Sequence, residues 1–182
     1  MTHDNALFVC HNQAYSSLCA NIMLQIHGEC ELEANRKDIW PLILDPDKLA
    51  ILIPGCRSLE EQEQGYYRGR IQIGIAGLAG TYETFVRVVE SIPPKYCRFS
   101  GEVYGKSGLI TGEAEVNLMN RGSSCRITYN ASGIVTGALS KINPQYINGI
   151  AQSFINLGIS RLDRQFVSQG DTSLKENRGS QN

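Results

Sequence analysis

The sequence predicts an α+β fold: an antiparallel sheet of six or seven strands wrapped around one long C-terminal helix, with two short helices after the first strand. Two observations carry this. The middle of the chain is a series of segments alternating apolar and polar residues, separated by Gly, Pro and Asn; each is a strand with one dry and one wet face. From Pro144 the apolar spacing changes to threes and fours, the period of a helix that buries one stripe. At 182 residues the chain suits a single domain with a proper core.

"LQIHGECEL" opens the fold, with Leu24, Ile26, Gly28, Cys30 and Leu32 on one face. Asn35 is the N-cap expected for a helix through Trp40, with Asp38 near its positive end, and Pro41 shortens or kinks it. Asp45 caps the second helix, and Pro46 takes the first helical position, where a missing N–H costs nothing. In "DPDKLAILIPGCRSLEE" Pro54 biases Ile53 away from helical geometry and Gly55 suits a positive φ, so the helix stops abruptly. "RSLEEQEQ" reads as a polar edge strand. The inward sets that follow are Tyr67, Gly69, Ile71, Ile73 and Ile75, then Tyr82, Thr84, Val86 and Val88, then Cys97, Phe99, Gly101 and Val103. Ile110, Gly112, Ala114, Val116 and Leu118 continue the series, and Cys125, Ile127, Tyr129 and Ala131 end it. The last helix runs from about Pro144 to Phe166 and buries Ile147, Ile150, Phe154, Leu157, Leu162 and Phe166. Beyond Val167 the chain is polar and aperiodic, and residues 169–182 read as a disordered tail.

Composition excludes several functions. Seventeen basic and eighteen acidic residues, evenly spread to a net charge of −1, leave no clustered cations for nucleic acid. No apolar run approaches the roughly 18 residues of a membrane span, and the first twenty residues carry no Lys or Arg for a secretory signal. Six cysteines form no CxxC pair and stand apart from the three histidines, His3, His11 and His27; they read as small buried hydrophobes in a reducing, cytoplasmic setting, with no metal and no cofactor implied. Catalysis would need a nucleophile with a base, a carboxylate pair or a metal. Glu83, Arg87, Glu102, Glu113, Glu115 and His27 all fall on outward positions, so no enzyme can be assembled from the inward set.

The inward faces hold Gly69, Gly101, Gly112 and Ala114 where a filled core would have Leu or Phe. Such residues let a sheet curl, leave a hollow beneath it, or do both. If they leave a hollow, Gly112→Leu fills it, as would Trp in place of Phe99 or Phe154.

The stretch from Asp45 to Glu61 resembles the signature of the family named for the G subunit of carbon monoxide dehydrogenase, within the START-like helix-grip (SRPBCC) superfamily. Trp40, Gly77 and Gly80 before "TYETFVRV", "PPKYCRFSGEVYGKSG", "LITGEAEVNL" and "GIVTGALSKI" agree with it, over roughly Met23 to Phe166. Met23 stands where relatives usually begin, so residues 1–22 are expected to be a poorly ordered extension or a misplaced start, and residues 23–168 the helix-grip domain. The resemblance implies a curved sheet gripping the last helix over a cavity. It also implies an accessory role beside a molybdenum hydroxylase, attaching it to the inner face of the membrane or passing a quinone.

On this basis the expected ligand is an elongated apolar molecule, an isoprenoid quinone first and a lipid second. Its walls would be Ile73, Val86, Phe99, Val103, Gly112, Val116, Ile127, Ile150 and Phe154, with an apolar rim at Leu49, Leu52 and Ile53. Remaining apolar side chains of that short helix would meet a partner or bilayer, or pack beneath the N-terminal extension. Tyr67, Tyr82 and Tyr129 are inward phenols able to orient a carbonyl, or core tyrosines with satisfied hydroxyls. At about 0.8 kcal/mol per buried CH₂, two isoprene units supply several kcal/mol, consistent with roughly micromolar, reversible binding. The competing reading is an adaptor for protein interaction or membrane recruitment with an incidental cavity. An enzyme acting on a hydrophobic ketone would require a buried acid or base that the pattern lacks.

Overall fold

A computed structural model describes residues 21–176, with side-chain surroundings through Phe166. The expectations for residues 1–20 of the N-terminal extension and for the last six residues of the tail lie outside the described residues, while Ile22, expected in the extension, belongs to the first strand. Strand β1 (Ile22–Leu32) is followed by α1 (Arg36–Ile39), a 3₁₀ turn (Trp40–Ile43) and α2 (Pro46–Leu52). Then come β2 (Cys56–Glu63), β3 (Tyr66–Ile73), β4 (Gly80–Ile92), β5 (Tyr96–Gly105), β6 (Gly108–Arg121) and β7 (Ser124–Gly137), and finally α3 (Pro144–Glu176). The seven strands form one antiparallel sheet in the order β1-β7-β6-β5-β4-β3-β2. Strands β2 to β7 meander, and the chain's first strand joins its last, with Leu24 opposite Gly133 and Gly28 opposite Tyr129. The two edges are β1, against which α3 packs, and the polar β2, against which α2 packs.

Local chemistry accounts for the short helices. Asn35 Oδ1 accepts from Lys37 N at 3.0 Å, and Asp45 Oδ1 accepts from Asp47 N at 2.9 Å and Lys48 N at 3.1 Å. Pro41 converts the end of α1 into the 3₁₀ turn. Ile53 is extended at φ −79°, ψ 118°, and Gly55 has a φ of 77°, a conformation that favours glycine. The helix therefore ends where Pro54 and Gly55 predict.

Three expectations need correction. Helix α3 does not end at Phe166 but reaches Glu176, through half of the stretch read as a disordered tail. Polarity argues against burial, not against helix; once a helix is formed each added residue costs little, and Gly170 is the poorest former on the way. Leu157, assigned to the buried stripe, is 39% exposed. At 100° per residue the stripe centres on Phe154, Gly158 and Leu162, which places Leu157 on its flank. Ile75 lies in the turn after β3 rather than on its inward face. At the other end β1 reaches back to Ile22, which continues the alternation, pairs with Val135 and is buried.

The core divides into two packed clusters. One gathers Leu32, Ile39, Leu52, Leu118, Cys125, Ile127 and Leu162. The other gathers Ile22, Leu24, Leu78, Tyr82, Val135, Leu139 and Ile147. Between them the sheet's inner face carries Gly101, Gly112, Gly133, Ala114 and Ala131, too small to join the two.

Candidate functional site: an apolar interior between sheet and helix

Three apolar lobes lie on the inner side of the sheet, one between the clusters and one against each of them. The first, about 340 Å³, lies between α2 and β4–β7; Leu49, Ile53, Val86, Phe99, Val103 and Gly112 border it. A second, about 370 Å³, runs beneath α3 and is bordered by Leu52, Ile53, Val116, Ile127, Tyr129 and Phe154. The third, about 140 Å³, sits under the N-terminal half of α3 against Ile73, Val103, Ile150 and Phe154. Ile53, Ala114 and Ala131 border the first two lobes, Val103 the first and third, and Phe154 the second and third. The two larger lobes are each within the size range of small-molecule sites. All thirteen residues assigned from the sequence border this interior. Leu24, Ile26, Ile110, Ala114 and Ala131 border it too; strand alternation had placed them inward. Ile155, Gly158 and Ile159 on α3 were missed, because helical spacing alone did not separate them from Leu157.

The three small inward glycines do different things. A Cβ on Gly101 would meet only Phe85 O, at 3.6 Å, so this position opens on the hollow. At Gly112 it would stand 2.5 Å from Ser132 O and 3.1 Å from Gly133 Cα; at Gly69 it would strike Ser58 O. These two glycines let neighbouring backbone approach. Leucine at Gly112 cannot fill the hollow, contrary to expectation, because its first carbon meets the β6–β7 ladder. Gly158 serves α3 in the same way, admitting Leu52 O at 3.1 Å from a Cβ position. Thus α2 lies close on α3, sends Leu52 inward and leaves Ile51 52% exposed.

The three tyrosines also separate. Tyr67 donates its hydroxyl to Leu44 O at 2.8 Å and Tyr82 to Leu78 O at 2.9 Å. Both protons are committed to backbone, so neither tyrosine is a ligand donor. Burial raises the Tyr67 phenol above its ordinary range, with a smaller contribution from Glu61. Tyr129 instead accepts a hydrogen bond from Gln152 Nε2 at 3.2 Å.

Two thiols outside the lobes are raised by burial. Burial, then Cys125 and Asp163, push Cys30 up to about 11, and burial alone pushes Cys97 to about 11. Among the described residues no three His, Cys, Asp or Glu side chains gather as metal ligands. Arg87, Glu102, Glu113 and His27 are exposed; Glu83 pairs with Arg68 at 3.2 Å and Glu115 accepts from Tyr96 at 3.3 Å. Among the described residues the lining suits apolar matter and presents no acid–base pair. A broader concavity of about 580 Å³ lies on the outer face of the sheet, where Arg87, Glu102 and Glu113 mix with Met23, Tyr66, Phe85 and Ile134. The sheet separates it from the interior.

A curved antiparallel sheet closed on a C-terminal helix, with short helices after the first strand, is the helix-grip fold. The sequence pattern of the CoxG family, named for the G subunit of carbon monoxide dehydrogenase, matches residues 28–166, and the chain belongs to that family. Among solved structures, a conserved protein from Geobacillus kaustophilus is similar at 26% identity and a TM-score of 0.77, over 80% of this chain and 96% of that one. An uncharacterized protein from Rhizobium leguminosarum (10% identity, TM-score 0.64, 81% and 96% covered) shares the fold. So does Ara h 8.0201 (11%, 0.59, 80% and 99%). No curated protein matches the chain.

Proposed function

We propose that this chain is a non-catalytic binding protein that holds an elongated apolar molecule, an isoprenoid quinone or a lipid, between its sheet and α3. It serves as an accessory to a molybdenum hydroxylase of the carbon monoxide dehydrogenase type. The observation that carries the reading is the interior itself: two packed clusters hold the fold together, and the stretch between them is hollow, almost wholly apolar and built on glycine and alanine. A protein that needed only a core would fill such a space, since each missing carbon contact weakens it. Family membership supports the partnership with the enzyme. The exposed Ile51, on the helix whose Leu49, Leu52 and Ile53 line the hollow, supports peripheral contact with a membrane surface, from which such a ligand would be drawn. Among the described residues no helix is long and apolar enough to cross a membrane.

The test is capture. Protein stripped of lipid is incubated with phosphatidylcholine vesicles containing a long-chain isoprenoid quinone, separated from them, and assayed for quinone by absorbance. About one quinone per chain is expected; protein that stays folded and returns without quinone refutes the quinone assignment, and failure to retain acyl lipid as well refutes the carrier.

A further inference from the structure

We infer that Tyr129 is a polar contact for the ligand in this interior, and that it selects an apolar chain bearing a hydrogen-bond-accepting carbonyl. The inference rests on the carrier reading and adds a specificity-determining residue to it. Of the three inward tyrosines, two have their protons fixed on backbone carbonyls. Tyr129 lines the lobe beneath α3, and its oxygen accepts from Gln152 Nε2 at 3.2 Å. Gln152 Nε2 also donates to Asn156 Oδ1 at 3.1 Å, one turn along α3. The hydroxyl is thereby used as an acceptor while its own proton finds no acceptor among the described residues.

A second feature is built around the same oxygen. Tyr129 lies opposite Gly28 on β1, and a Cβ on Gly28 would collide with the Tyr129 hydroxyl. Glycine at this inward position is what allows the ring to extend across β1, toward Gln152 on α3. A phenol whose proton has no protein acceptor can offer that proton to a ligand. A ligand carbonyl can accept it, while a hydrocarbon cannot. Quinones and acyl esters both offer such an oxygen, so the selected chemistry is the carbonyl at the end of an apolar chain.

Three probes separate the possibilities: a benzoquinone with a decyl side chain, methyl palmitate and dodecylbenzene. Each is titrated against the parent, Tyr129→Phe and Gln152→Glu, whose melting temperatures are measured alongside. Tyr129→Phe should weaken a carbonyl probe on the order of threefold to tenfold, the worth of one net hydrogen bond, and leave dodecylbenzene unchanged. Gln152→Glu keeps the phenol but replaces the donor with a carboxylate, which takes the Tyr129 proton; it should weaken the same probe at neutral pH. A loss confined to the quinone assigns a ring carbonyl, and a loss confined to methyl palmitate an acyl lipid; either supports the inference. Equal affinity of the parent and both variants for every carbonyl probe overturns it while the carrier stands. If dodecylbenzene and both carbonyl probes fail to bind the parent, the carrier reading itself fails.

Discussion

Replacing Gly101 with leucine puts a side chain into the lobe between α2 and β4–β7 with only an ordinary van der Waals contact to backbone. Its Cβ position has a single neighbour, Phe85 O at 3.6 Å, and its cross-strand partners on the inner face are Val86 and Gly112. The leucine carbons enter a lobe of about 340 Å³. Four buried carbons at about 0.8 kcal/mol each give about 3 kcal/mol, less roughly 1 kcal/mol for ordering the side chain. A net gain of about 1–2 kcal/mol follows, which for a chain of this size raises Tm by about 2–8 °C. The same carbons displace an equal length of ligand, so affinity for a long-chain quinone should fall on the order of a hundredfold. Gly112→Leu is the contrast: its first carbon lies 2.5 Å from Ser132 O, and breaking the β6–β7 ladder should cost about 3 kcal/mol or more. Thermal melts and a quinone titration on the three proteins read both effects. A Gly101→Leu protein that is destabilised by more than about 1 kcal/mol, or that binds quinone within threefold of the parent, refutes the hollow.

Asp45→Ala removes a cap with two hydrogen bonds and should cost about 1 kcal/mol, while loosening Leu49 and Leu52 enough to weaken ligand binding; denaturant titration and ligand titration read the two. Leu52→Ala empties a side chain that is 9% exposed and should cost about 2–4 kcal/mol in the same denaturant assay. Because burial raises Cys30 and Cys97 to about 11 from 9.0, the fold holds both thiols protonated. Their stability contribution is complete below pH 9 and is lost as pH climbs from 9 toward 11. The fall in denaturation midpoint over that window should be smaller in a Cys30→Ala, Cys97→Ala protein, and an identical fall would contradict the assignment.

Much of the architecture is legible because it depends on local periodicity. The pleat alternates every residue, so the faces of β3 to β7 follow from the pattern once one buried residue is placed, and the strand residues among the walls are found that way. The caps at Asn35 and Asp45 and the stop at Ile53 are equally local. Room is not local. Gly101 and Gly112 alternate identically and face each other across β5 and β6, yet one opens on empty space and the other on Ser132 O. That difference arises from how closely β7 approaches, which no alternation pattern encodes. The same holds for Tyr67, Tyr82 and Tyr129, three inward phenols distinguished only by which carbonyl or amide the fold brings to each. Leu157 and Ile159 show the limit for helices, since a three-or-four spacing admits both until a neighbour such as α2 fixes the stripe's centre.

The most direct measurement is to purify the protein from cells that make it, extract it with organic solvent under conditions that release bound lipid, and identify the extract by mass spectrometry beside an extract of Gly101→Leu. A near-stoichiometric apolar molecule with an isoprenoid or acyl chain should come from the parent and be absent from the variant. A folded parent that releases no such molecule, or a variant that releases as much of it, would contradict a ligand held between the sheet and α3.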